Sequence, residues 1–81
     1  MKVTEVKVRK LESSTRMKGV ATITIDDCFV VHDIKIIEGE EGLFVAMPSR
    51  NINGEFKDIA HPINPETREL IQEAIISEFN K

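Results

Sequence analysis

The chain has 81 residues, 41% hydrophobic and 31% charged, with a formal net charge of −3, enough for one globular domain with a modest core and no room for a second. No apolar run approaches the ~20 residues that span a bilayer, and the N-terminus lacks the apolar stretch and cleavage site of a signal peptide. Membrane-inserted and secreted classes are therefore excluded and a cytoplasmic chain is expected.

Period-two patterning dominates the first sixty residues. Thr4, Val6 and Val8 alternate with Glu5, Lys7 and Arg9, so the first strand is expected to bury the even positions and show charge on the odd ones. Glu12-Ser13-Ser14-Thr15 reads as a turn or flexible loop. In the second strand Ala21, Ile23 and Ile25 face inward, with Lys18, Val20, Thr22 and Thr24 outside. Pairing the two strands as a hairpin brings Lys7, Arg9 and Lys18 into a basic stripe over a threonine-rich floor, a surface suited to phosphate contacts.

The third strand, Cys28 to Ile37, breaks the alternation. Cys28, Val30, Ile34 and Ile36 make one apolar face, while Phe29, Val31 and Ile37 are apolar on the other, so both faces need cover. One helix covers one face. The second face, with Phe29, Val31 and Ile37, is assigned to a second copy of the chain rather than to a covering loop, which makes a homodimer the expected state. Cys28, the single cysteine, has no intrachain disulfide partner and is expected to pack as a small hydrophobe. His32, between Val30 and Ile34, reads as a satisfied core or interface histidine, and no metal site or cofactor is expected because no second His or Cys stands at ligand spacing. Glu38 to Gly42 turns the chain into a fourth strand, Leu43 to Met47, which Pro48 ends.

Asn53-Gly54 lies between apolar-alternating flanks and marks a two-residue hairpin turn, because both central positions of such a turn require positive φ. Centring the turn there sets Ile52 opposite Glu55, Asn51 opposite Phe56 and Arg50 opposite Lys57. Two cations then face each other across a ladder, where like charges repel. An anion held between them relieves the repulsion, and a nucleic-acid phosphate is the commonest biological candidate.

Helix entry is well marked by Asn64 as N-cap, Pro65 at the first helical position and Glu66 and Glu69 in or near the first turn. Leu70, Ile71, Ala74, Ile75 and Phe79 keep a helical spacing and are expected on the sheet, with Arg68, Glu69, Gln72, Glu73 and Ile76 outward. Arg68 is a candidate for a phosphate or base-edge contact, weighed against pairing with Gln72 one turn on or a surface salt bridge.

Charge is unevenly distributed. Lys2, Lys7, Arg9, Lys10, Arg16 and Lys18 against Glu5 and Glu12 leave residues 1–20 at +4. Lys35 against Asp26, Asp27, Asp33, Glu38, Glu40 and Glu41 leaves residues 21–49 at −5. Such a dipolar chain reconciles a negative total with a local polyanion site. Ser49, Asp58 and His61 supply the residue types of a nucleophilic triad, but they fall in one short hairpin without an elbow or oxyanion hole. No enzyme is expected, and His61 reads as a helix-entry residue bonded to Asp58.

Across essentially its whole length the chain resembles the stage V sporulation protein G (SpoVG) family. The resemblance is carried by the opening MKVTEVKVRKL, the central TITIDDCFVVHDIKIIEG, the block from FVAMPSR through GEFKDIAHPI, and the IAHPINPETRELIQEAI that runs on from it. It implies a single domain over residues 1–81, a small α+β dimer that binds nucleic acid as a site-selective regulator, with a role in septum formation and sporulation. The family usually carries adjacent basic residues after the Pro-Ser, whereas Arg50 here is followed by Asn51.

The expected fold is thus α+β, a small and mostly antiparallel β-sheet with one C-terminal α-helix packed on it, dimeric. The expected function is nucleic-acid-binding regulation, through Arg50, Lys57, Lys7, Arg9, Lys18 and Arg68. The competing reading is a protein-interaction module of the division or sporulation machinery without nucleic-acid contact, since the net charge is negative and four Phe with no Trp or Tyr make few stacking platforms.

Overall fold

A computed structural model describes residues 1–12 and 15–81; the Ser13-Ser14 part of the turn expected between the first two strands lies outside them. Strands β1 (Val3–Lys10), β2 (Met17–Ile25), β3 (Phe29–Gly39) and β4 (Gly42–Ala46) form an antiparallel sheet in sequence order. A separate two-stranded hairpin, β5 (Ser49–Ile52) and β6 (Glu55–Asp58), precedes the single helix α1 (Pro65–Phe79). The α+β class with one C-terminal helix is as the patterning predicts.

The core lies between one face of the sheet and α1. Ala21 and Ile23 of β2, Ile34 and Ile36 of β3, Val45 of β4 and Met47 meet Ile71 and Ile75 of α1, all buried. Each fully buried Ile contributes about 1.5–3 kcal/mol of hydrophobic stabilisation. So small a core makes every one of these contacts a sizeable part of the total. Gly19 matters here because a Cβ at that position would lie 3.0 Å from the Arg9 carbonyl oxygen and 3.3 Å from the Phe79 ring. Its bare backbone lets the last turn of α1 settle on β2. The Phe79 ring also carries the Lys10 ammonium 5.1 Å from its centroid, a cation–π contact at the sheet's margin.

Two β-bulges reset the side-chain phase and correct the sequence-based faces. Between Val3 and Glu5 the β1–β2 register shifts, so Val3, Val6 and Val8 are half-buried and Thr4 is exposed rather than inward. Thr4 instead donates to the Thr24 carbonyl at 3.3 Å and accepts from the Asp27 N–H at 3.0 Å, tying β1 to the β2–β3 turn.

The second bulge has larger effects. Ala21 pairs with Ile34 but Ile23 pairs with Val31, so His32 and Asp33 together oppose Thr22. Asp33 takes φ +60, a left-handed conformation that Asp tolerates better than most residues. Beyond the bulge Phe29 and Val31 turn to the helix side, opposite Ile25 and Ile23, while Val30 joins Ile37 on the other face. Phe29, Val31 and Ile37 therefore do not share a face as expected from the alternation, and Val31 packs against the core. Cys28 is exposed rather than packed.

Helix α1 begins as predicted. Asn64 Oδ1 accepts from the Thr67 N–H at 2.8 Å, Pro65 opens the first turn and Glu66 supplies its negative charge. The helix is rotated from the expected setting. Ile71 and Ile75 are buried and Ile76 packs on the core, whereas Leu70 is 43% exposed. Gln72 is drawn to the sheet because its Oε1 accepts from the Val45 N–H at 3.3 Å, which satisfies a donor on the edge strand β4. The expected Arg68–Gln72 pair is thereby replaced.

Candidate nucleic-acid interface

Helix α1 covers one face of the four-stranded sheet; the opposite face carries no covering element among the described residues. The ladders place its side chains in rows. Glu5, Thr24 and Val30 form one row, Lys7 and Thr22 with His32 the next, and Arg9, Val20, Lys35 and Ala46 the third. Ile37 and Phe44 form a fourth, apolar row at the β3–β4 end. Neighbouring strands lie ~4.8 Å apart, so the cations of β1 and those of β3 flank a floor of Thr22 and Val20 roughly two strand spacings wide.

Lys7 and Arg9 thus share the uncovered face, as the alternation predicts. Lys7 is highly exposed and its Nζ lies 3.5 Å from Glu5 Oε1, a surface pair of small energetic weight. Lys18 is half-buried at a third irregularity, where Met17 pairs with Ile37 and Gly19 with Ile36, and its carbonyl accepts from the Leu11 N–H at 3.0 Å. His32 was missed in the sequence because its outward position depends on the Asp33 bulge, whereas Lys35 faces out by alternating with the buried Ile34 and Ile36. His32 is exposed, not a core histidine, with Nδ1 3.5 Å from Thr22 Oγ1. The one available signal was an Asp inside an apolar strand, a residue type tolerant of left-handed φ.

The hairpin has the expected register: Ile52 opposite Glu55, Asn51 opposite Phe56, Arg50 opposite Lys57 and Ser49 opposite Asp58. Asn53 and Gly54 take φ +53 and +88, the pair of positive values that a tight two-residue turn needs. Asn51 Oδ1 accepts from the Gly54 N–H at 3.0 Å and locks the turn from within. Arg50 and Lys57 are both exposed. The arm closes where the Ile59 N–H donates to the Pro48 carbonyl at 2.8 Å. Phe56 is 71% exposed and Ile59 and Ile63 are 67% and 89% exposed, so the arm and the segment after it present apolar surface that no described residue covers. An open apolar cleft of about 200 Å³ lies nearby on the helix side, lined by Met1, Ile25, Phe29, Val31 and Met47 among others.

Arg68 is exposed on α1, on the helix side of the sheet, so it does not join Lys7 and Arg9. His61 Nδ1 lies 3.1 Å from the Pro62 carbonyl oxygen and makes no bond to Asp58. Among the described residues no group of three or more His, Cys, Asp or Glu is placed to hold a metal ion, and no helix is long and apolar enough to cross a membrane.

The SpoVG family model matches residues 1–81. A relative from Caldicellulosiruptor bescii, named "Putative septation protein SpoVG", is 60% identical over 80 residues, covering 98% of this chain and 91% of its own. Proteins of the same name from Caldanaerobacter subterraneus subsp. tengcongensis and Phytoplasma australiense are 61% and 59% identical, covering 100% and 98% of this chain and 90% and 83% of their own. A match of this extent embraces the sheet, the hairpin arm and the helix alike, and the chain belongs to the SpoVG family.

Proposed function

We propose that the protein is a cytoplasmic, dimeric, nucleic-acid-binding regulator rather than an enzyme, and that its tie to septation and sporulation runs through that binding. The observation that supports it most is the uncovered sheet face, where Lys7, Arg9 and Lys35 surround Thr22 and Val20. Most of the acidic residues of the middle segment lie elsewhere: Asp26 and Asp27 in the β2–β3 turn, Glu40 and Glu41 in the β3–β4 turn. A chain of net charge −3 thereby keeps a cationic surface for phosphates. Arg50 and Lys57 add a second cationic point on the hairpin arm. The arm's apolar side chains, Phe56, Ile59 and Ile63, are the surface we assign to the second copy.

The same apolar arm favours the second reading, a docking module for a division or sporulation protein with no nucleic-acid contact. A salt series separates the two. Titration with random duplex DNA and single-stranded RNA from low to physiological salt should show affinity falling steeply, with a slope near −0.9 per phosphate contacted on duplex. No measurable binding at low salt would favour the docking module.

A further inference from the structure

We infer that Lys7, Thr22 and His32 form a phosphate subsite whose grip depends on a proton at His32, so that nucleic-acid binding tightens as pH falls. The inference rests on the reading that nucleic acid lies on the uncovered sheet face. These three residues stand in one row across β1, β2 and β3, because the bulge sets His32 and Asp33 together against Thr22 while Lys7 pairs with Thr22 from the other side. They line an open hollow of about 310 Å³ together with Glu5, Thr24 and Val30.

Charge in the hollow explains why the proton matters. Lys7 is paired with Glu5 at 3.5 Å, so with a neutral imidazole the subsite has almost no net charge. β2 contributes only the hydroxyls of Thr22 and Thr24 to it. On β3 the flanking charges are Asp33 and Lys35, of opposite sign. Protonation of His32 is the change that turns this near-neutral hollow into a cationic one. Its ring has one polar contact among the described residues, at 3.5 Å from Thr22 Oγ1, the outer limit of a hydrogen bond, and so is free to turn an N–H toward a phosphate oxygen. A phosphate oxygen set beside the ring favours the charged imidazolium, so binding draws a proton onto it. The sign follows: the complex holds more protons than its parts, and affinity rises as pH falls.

The test is binding to random duplex DNA at constant ionic strength, at about pH 8 and about pH 5.8, on either side of the ordinary imidazole range. The wild type should gain about five- to tenfold in affinity on acidification, with its salt slope steeper by ~0.9, one added phosphate contact. His32→Gln should lose that gain. His32→Lys should be insensitive to pH and should show at pH 8 the steeper slope that the wild type shows in acid. His61→Gln should keep the wild-type gain, since that ring lies away from the hollow. Salt-dependent binding that does not change with pH, or a gain that survives His32→Gln, overturns the subsite and leaves the wider reading standing. Absence of binding at every pH and salt overturns both.

Discussion

Arg50 stands directly opposite Lys57 across the β5–β6 ladder, two cations held within one cross-strand pair by the Asn53-Gly54 turn. Directly opposed like charges destabilise a strand pair by a few tenths of a kcal/mol up to about 1 kcal/mol. Arg50→Gln and Lys57→Gln should therefore leave the melting temperature unchanged or slightly raised. Nucleic-acid affinity should fall in both. Arg50→Lys should also weaken binding, because the planar guanidinium fork grips a phosphate or a guanine edge in a way an ammonium does not. Stability lost with binding intact would mean that the pair serves the hairpin instead.

Val31 faces the helix side, opposite Ile23. Val31→Lys should accordingly destabilise the monomer fold by ~2 kcal/mol or more, the cost of setting an unpaired ammonium against the core. Chemical denaturation measures this directly. A variant as stable as the wild type would return Val31 to an outer surface.

Asp33 at φ +60 carries the bulge that decides which β3 side chains face out. Asp33→Gly should be tolerated, since glycine adopts that conformation freely, while Asp33→Val should cost ~1–2 kcal/mol through the clash of a β-branched side chain. If Asp33→Val folds with full stability, β3 runs without the bulge, and Lys35 and His32 lose their shared face.

The apolar arm predicts association. At tens of micromolar the protein should sediment as a dimer, and Phe56→Ser combined with Ile59→Ser should shift it to monomer without loss of fold, because both side chains are largely exposed within the chain. A wild-type monomer at that concentration would remove the arm from the account of assembly.

Much of this was legible in the sequence for local reasons. The Asn53-Gly54 register, the Asn64 cap and the inward run Ala21, Ile23 are each decided by neighbours a few residues apart, through turn geometry, capping and strict alternation. What failed was carried across the two bulges. A single extra residue in a strand inverts every side chain beyond it. Thr4, Phe29 and Val31 were misplaced for that reason alone, and His32 went unseen with them, whereas Ile37 and Lys35 keep the outward phase that alternation with Ile34 and Ile36 gives. The setting of α1 was also hidden, because Leu70 and Ile76 are equally apolar and only the reach of Gln72 to the β4 edge and the seat of Phe79 on Gly19 decide between them.

Nucleic acid is proposed to lie on the uncovered face of the sheet. Backbone amide and side-chain NMR shifts, followed while a short random duplex is added at low salt, test it most directly. The largest changes should fall at Lys7, Arg9, Val20, Thr22 and Lys35, with further changes at Arg50 and Lys57 and little at Glu69, Glu73 or Ser77 on the outward side of α1. Shifts confined to the helix and the apolar cleft, with the sheet face silent, would contradict it.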